Sequence, residues 1–193
     1  RPDIRVVLGG PHVTLVCAAA KVEKKAARIG GRGQRALDKL LGMFDVLVSG
    51  DGEFAVFEAL RPGVRGVVDG DDPAVGYFMT DADYDESPRV ARHLVDLGSY
   101  NYTIEGHRST SVIGQLGCPF ACSFCGGRNS KALRMIRTRT VGSIVSEIEH
   151  LHLKHGYTGF MFYDDELNVS RSMVELMHAI GDLQERLGVE FRL

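Results

Sequence analysis

No apolar run in this sequence approaches the roughly 20 residues that a bilayer-spanning helix needs. Its opening, RPDIRVVLGG, also lacks the charged, apolar and small-residue order of a signal peptide. The expectation is a cytoplasmic protein without a membrane partner. A charge excess is missing as well. With 23 Lys and Arg against 25 Asp and Glu, and a formal net charge of -2, no global field would collect nucleic acid, and small specific ligands fit better. Cysteine is scarce: four in 193 residues are too few for a disulfide scaffold. Three of them fall within eight positions, which suits metal ligation in a reducing compartment. There is no internal repeat and no low-complexity tract. What remains, 44% hydrophobic and 25% charged residues, is the composition of a globular chain with a core. The chain opens without Met directly into a strand-like run and stops at GVEFRL, which reads as a strand just begun. It is therefore expected to be an excerpt of a longer protein.

Three short β-branched runs, IRVVL (4–8), FDVLVSG (44–50) and VRGVVDG (64–70), end in Gly or Asp and predict strands buried on both faces. Helical stretches lie between them, one from about Lys21 to Leu41, interrupted by GGRG, and one over EFAVFEAL (53–60). This order predicts part of a doubly wound parallel sheet, in which ligands sit at the carboxyl ends of strands. Those ends carry GGPHVT (9–14) and SGDGE (49–53), whose glycines permit close backbone approach to a ligand, although such turns also serve folding alone. His12, after Pro11, reads as a hydrogen-bonded turn residue, and Cys17, among small apolar neighbours, as a buried packing residue. The seven Lys and Arg of 21–39 predict a solvated helical face.

From Asp71 to about Arg108 the chain turns acidic and aperiodic, as a connection between domains would. A second strand and helix order then begins. It runs through strand TSVIGQL (110–116), a cysteine loop, a helix from Val141 to His155 with Thr140 as N-cap and Gly156 as stop, strand YTGFMFY (157–163), a helix from about Arg171 to Leu187, and the start of another strand. A barrel and an open sheet both fit. In either, loops after strands carry the chemistry.

The loop GQLGCPFACSFCGG (114–127) offers Cys118, Cys122 and Cys125 and no fourth cysteine nearby. A structural zinc site wants four ligands, and an electron-transfer iron-sulfur cluster usually takes four thiolates. Three thiolates leave one metal with open coordination, where a substrate or cosubstrate can bind. Cys17 and His107 are the candidates for a hidden fourth ligand, which keeps a Cys3His zinc site open. HLHLKH (150–155) imitates a metal cluster, yet it falls on the last turn of a helix, where His and Lys suit the negative dipole end. Arg137 and Arg139 could approach a carboxylate or phosphate, but read first as exposed residues ahead of that helix.

CPFACSFC, with an aromatic directly before the third Cys, resembles the signature of the radical S-adenosylmethionine (SAM) enzymes. In that order, GGPHVT, DVLVSGDGE, GQLGCPFACSFCGG, RTRTVGSIVSEIEHL and FMFYDDELNV are similar to the branch with an amino-terminal cobalamin-binding domain. The resemblance implies an α/β chain in three parts. Residues 1–70 would be the carboxyl-terminal part of a doubly wound, flavodoxin-like cobalamin-binding domain, 71–108 an interdomain linker, and 109–193 the first part of a radical SAM partial (β/α) TIM-type barrel.

By the same resemblance, Cys118, Cys122 and Cys125 would ligate a 4Fe-4S cluster whose fourth iron SAM chelates. Reductive cleavage of SAM would draw on an external electron donor of flavodoxin or ferredoxin type. Phe124 would pack near the adenine, and Asp164, Asp165 and Glu166 would meet the SAM amino group. Gly9, Gly10, Gly50, Asp51, Gly52 and Glu53 would line the pocket around the cobalamin tail. The motif with the usual lower-ligand histidine is not among these residues. The implied activity is methylation of an unactivated carbon or phosphinate-like centre of a metabolite or peptide. Cyclisation, rearrangement and methylthiolation use the same radical, and an iron-sulfur or zinc module without turnover is the reading from another class.

Overall fold

Val46, Leu47 and Val48 are all buried although they alternate between the two faces of one strand. That requires cover on both sides, and the computed structural model, which describes residues 4–193, supplies it. Strands β1 (Val7–Leu8), β2 (Val46–Gly50) and β3 (Gly66–Gly70) form a parallel sheet in that order. Helices α1 (Pro11–Lys25) and α2 (Arg32–Leu41) lie between β1 and β2, and α3 (Gly52–Ala59) between β2 and β3. Leu47 packs with Val13 and Cys17 of α1 on one face, and Val46 and Val48 with Ala55 and Ala59 of α3 on the other. The continuous apolar run is thus explained by two covered faces.

The first helix starts ten residues earlier than expected. Gly10, at φ 93°, is its N-cap and Pro11 its first residue, where a proline loses no hydrogen bond and its fixed φ is already helical. GGPHVT is therefore a helix start, and His12 lies exposed on its first turn. The seven cations of 21–39 are exposed, as predicted. Glu23 reaches across the interruption, accepting from the amides of Gly33 at 3.0 Å and Gln34 at 2.9 Å, and so caps α2 from outside.

The acidic stretch from 71 to 108 is more ordered than a bare connection. Helix α4 (Asp81–Asp85) carries a capping box between Thr80 and Asp83, and β4 (Thr103–Ile104) pairs antiparallel with β5 (His107–Val112). The predicted strand 110–116 is broken at Ile113 and Gly114, so that Gln115 and Leu116 form a separate β6 (Gln115–Leu116). The short α5 (Lys131–Arg134) follows the cysteine loop, and β7 (Arg137–Thr138) then pairs antiparallel with β6. Helix α6 (Val141–His155) has the predicted bounds, with Thr140 accepting from the Ser143 amide and Gly156 left-handed at φ 69°. Strand β8 (Gly159–Phe162) is parallel to β5, helix α7 (Met173–Leu187) follows, and Arg192 makes a parallel bridge to Gly159.

Val112 and Phe160, on one face of the β5–β8 ladder, pack with Ile144, Ile148 and Leu151 of α6 and Leu176, Ile180 and Leu183 of α7. Both helices therefore cover the same face. Each such buried aliphatic or aromatic side chain contributes about 1.5–3 kcal/mol.

Two compact units result. One comprises the residues through Met79 together with Cys118–Ile136, and the other Thr80–Gly117 with Arg137–Leu193. The cysteine loop is thus packed with the first unit, whereas the sequence boundaries group it with everything from 109 onward. Among the described residues, no helix is long and apolar enough to cross a membrane.

Candidate functional site

The bend that precedes the cysteines is gripped at each backbone polar atom from the Ile113 carbonyl to the Gln115 amide. Tyr84 Oη donates to the Ile113 carbonyl at 3.2 Å, as does Arg139 Nη1 at 3.2 Å. The Arg139 amide donates to the Gly114 carbonyl at 2.9 Å. The amides of Gly114 and Gln115 both donate to the Asp164 carboxylate, the former at 3.1 Å. A Cβ on Gly114 would stand 2.9 Å from Ile144 Cδ1, so the bend lies close against the movable end of that side chain. Two strand ends, β5 and β8, are in this way tied at the carboxyl edge where parallel sheets place their chemistry.

Asp164 feels two opposed influences. Burial raises its pKa, the Gly114 and Gln115 amides pull it down, and burial prevails. Tyr84 is pushed up to about 12, mainly by burial. Beside them Glu147 is buried and receives Arg139 Nη1 at 2.6 Å and Arg92 Nη2 at 3.1 Å. The expectation of exposed arginines is corrected by this network: Arg137 is 4% exposed and the Arg139 side chain 13%. Arg139 is held inside because a buried carboxylate needs a paired, multiply bonded cation.

The loop itself is built in the first unit. Gly117, at φ 81°, turns the chain, and the Cys118 amide donates to the Leu133 carbonyl at 3.0 Å. Arg134 Nη2 donates to the Pro119 carbonyl at 2.7 Å, and the Cys125 amide to the Cys122 carbonyl at 3.0 Å. Gly126 lies close over α1, a Cβ there falling 3.3 Å from Leu15. Cys118 is half-buried, whereas Cys122 and Cys125 are exposed and all three are free thiols. Phe124 is 91% exposed.

Among the described residues, no group of three or more His, Cys, Asp or Glu side chains is gathered closely enough to hold a metal ion. The donor set nevertheless fits an iron-sulfur cluster in kind. It is three soft thiols on one glycine-rich loop, two of them reachable from solvent. Of the candidates for a fourth ligand, Cys17 is 3% exposed in the core beside Leu47, its thiol pushed up by burial. His107 lies on β5 with Nδ1 at 3.1 Å from Thr158 Oγ1. The histidines of HLHLKH are dispersed in role, His152 Nδ1 lying 3.0 Å from the Tyr157 carbonyl and the His150 and His155 rings meeting edge to face.

No protein-family model matches the chain. In a comparison that covers 88% of this chain and 27% of the relative, it is 28% identical to the anaerobic magnesium-protoporphyrin IX monomethyl ester cyclase of Cereibacter sphaeroides. In one that covers 88% of this chain and 35% of the relative, it is 25% identical to an uncharacterized methyltransferase of Pyrococcus horikoshii. The chain is a distant homologue of the cobalamin-dependent radical SAM enzymes. It spans about a quarter to a third of the length of these curated relatives. The radical SAM methyltransferase TsrM of Kitasatospora setae, solved with cobalamin and a 4Fe-4S cluster bound, shares 26% identity at a TM-score of 0.36, over 42% of this chain and 14% of that one.

As a radical SAM homologue, the chain distributes the residues singled out from its sequence unevenly. Cys118, Cys122, Phe124 and Cys125 share one loop. Asp164 is committed to two backbone amides, Asp165 is exposed, and the Glu166 carbonyl accepts from Gln115 Nε2 at 2.9 Å. Gln115 Oε1 is buried and has no hydrogen-bond partner among the described residues. Gly9 and Gly10 are exposed after β1, and Glu53 is exposed on the first turn of α3. Gly50 and Asp51 serve the fold directly: a Cβ on Gly50, at φ 80°, would stand 2.2 Å from the Asp71 amide, and the buried Asp51 carboxylate accepts from the Met79 amide at 2.8 Å. Gly52 opens α3 with free space around it.

Sequence reasoning missed Glu147, Tyr84 and Asp71. Glu147 left a usable signal, because it occupies a core position of α6 in the series 144, 147, 148, 151. Asp71 left none among its acidic neighbours.

Proposed function

We propose that the chain is part of a cobalamin-dependent radical SAM enzyme that methylates an unactivated carbon or phosphinate-like centre of a metabolite or peptide. The observation that carries this reading is the three-thiol loop, with Cys122 and Cys125 exposed and Cys17 and His107 engaged elsewhere. Cys118, Cys122 and Cys125 would hold a 4Fe-4S cluster. With that cluster and SAM bound, the site would supply reductive cleavage of SAM at its bond from sulfur to C5', drawing one electron from a flavodoxin- or ferredoxin-type donor.

The chain's own residues bind and orient. Phe124 offers an uncovered ring for the adenine. Asp164, Asp165 and Glu166 supply acceptors for an ammonium group. Gly9 and Gly10, with Gly50, Asp51, Gly52 and Glu53, form the edge of the sheet against which the cobalamin tail would lie. In this reading the β1–β3 sheet is the end of the cobalamin-binding domain, and β5, α6, β8 and α7 begin the (β/α) barrel. Both helices covering one face of the β5–β8 ladder supports a barrel. The protein would be cytoplasmic, where thiols stay reduced, and would need no nucleic acid or membrane.

The test is anaerobic reconstitution of the full-length protein with iron and sulfide, followed by chromatography of methionine and 5'-deoxyadenosine formed from SAM. Wild type should cleave SAM and Cys122→Ala should not. Equal turnover by both would overturn the assignment of the thiols. The 28% identity to a cyclase over 88% of the chain favours cyclisation as a second reading. Mass spectrometry separates the two, since only the first adds a methyl group to its substrate.

A further inference from the structure

Asp71 is 3% exposed and directly follows β3, where the sheet reaches its carboxyl edge. Its Oδ1 accepts from Ser130 Oγ at 2.6 Å and from the Ala132 amide at 2.8 Å. Lys21 Nζ of α1 lies 3.8 Å from the other carboxylate oxygen and 2.6 Å from Asp69. Ser130 and Ala132 are themselves buried, and Ser130 Oγ in turn accepts from the Leu133 amide at 3.1 Å. The Leu133 carbonyl then receives the Cys118 amide at 3.0 Å. Three hydrogen bonds therefore run in series from Asp71 through Ser130 and Leu133 to the first cysteine, with the Ala132 amide as a side branch. Gly50 permits it, because any side chain there would displace the Asp71 backbone.

We infer that Asp71 is a positioning residue that latches the cysteine loop onto the carboxyl edge of the parallel sheet, so that the loop keeps its place on the sheet before any cofactor arrives. The physical reason is that Oδ1 holds a buried hydroxyl and a buried amide at once, and without it both of these bonds between the sheet and the loop are lost in a place that water does not reach. That the latched loop serves a cluster rests on the function proposed above; the latch itself does not.

The latch is tested on the metal-free full-length protein by amide hydrogen exchange read by mass spectrometry. Asp71→Ala should speed exchange about tenfold or more in peptides covering 118–136, while peptides of β2 and of α6 stay as in wild type. Asp71→Asn keeps an acceptor oxygen for Ser130 and Ala132 and should restore slow exchange. Ser130→Ala, which breaks the chain at one link, should fall between, and it serves should Asp71→Ala not fold. Unchanged exchange in 118–136, acceleration spread evenly over the protein, or failure of Asn to rescue would each overturn the latch. After reconstitution, electron paramagnetic resonance of the reduced protein should show a SAM-induced change in wild type and Asp71→Asn that is broadened or lost in Asp71→Ala. A wild type that shows slow exchange but binds no cluster would refute the function and leave the latch standing.

Discussion

Replacing Asp164 asks whether burial or hydrogen bonding governs the carboxylate that ties β8 to the bend before the cysteines. Asp164→Ala leaves the Gly114 and Gln115 amides without acceptors, and both residues are buried. Each unsatisfied buried donor costs about 1–3 kcal/mol. Against that, the variant no longer has to bury a carboxylate, whose desolvation is unfavourable enough to raise its pKa despite two amide donors. The net expectation is a loss of about 2 kcal/mol for Ala and about 1 kcal/mol for Asn, which retains one acceptor oxygen.

The pH dependence of the same group decides between the two influences. A raised pKa means that the folded protein binds the Asp164 proton more tightly than the unfolded chain, whose carboxyl has the ordinary value of 3.8. The stability this confers is complete below that value and is lost as pH rises through the raised one. The advantage of wild type over Asp164→Asn should therefore shrink as pH rises above about 4, measured by denaturant unfolding at steps of pH with hydrogen exchange at 110–117 as a local readout. An advantage that grows with pH would refute the reasoning, because it would mean that the amides outweigh burial.

Gly50→Ala should cost more than about 3 kcal/mol, because the new Cβ meets the Asp71 amide at 2.2 Å and the Gly70 carbonyl carbon at 2.3 Å, in a left-handed conformation. A thermal midpoint close to wild type would contradict the tight strand contact. Glu147→Ala should lower stability by about 3 kcal/mol or more, since it strands two guanidinium groups whose side chains are 13% and 14% exposed. Denaturant unfolding showing a loss under about 1 kcal/mol would mean that the carbonyls of Ile113 and Ser111 already satisfy both arginines.

Legibility followed the range of the interaction that fixed each feature. The bounds of α6 were readable because Thr140 and Gly156 cap it through bonds a few residues long. The three parallel strands were readable from their apolar runs, but only β2 is buried on both faces as expected: β1 is half-buried and Val67 of β3 is exposed, because the sheet ends at these two edge strands. The start of α1 was not, because Gly10 and Pro11 suit a turn and an N-terminus equally until the helix finds a sheet to lie on. The break of the strand at Gly114 was hidden for a similar reason, as the acceptor that holds it, Asp164, stands fifty residues away.

By itself, the sequence determined the donor chemistry, since three thiols in CPFACSFC follow from residue type and spacing, and with them the alternation of strands and helices that local patterning dictates. Only the tertiary structure decided that Arg139 is a buried partner of Glu147, that Asp164 holds two amides, and that Asp71 carries the cysteine loop. A carboxylate has the same formula on a surface and in a core, and its role is set by which donors the fold brings to it from far along the chain once water has been excluded.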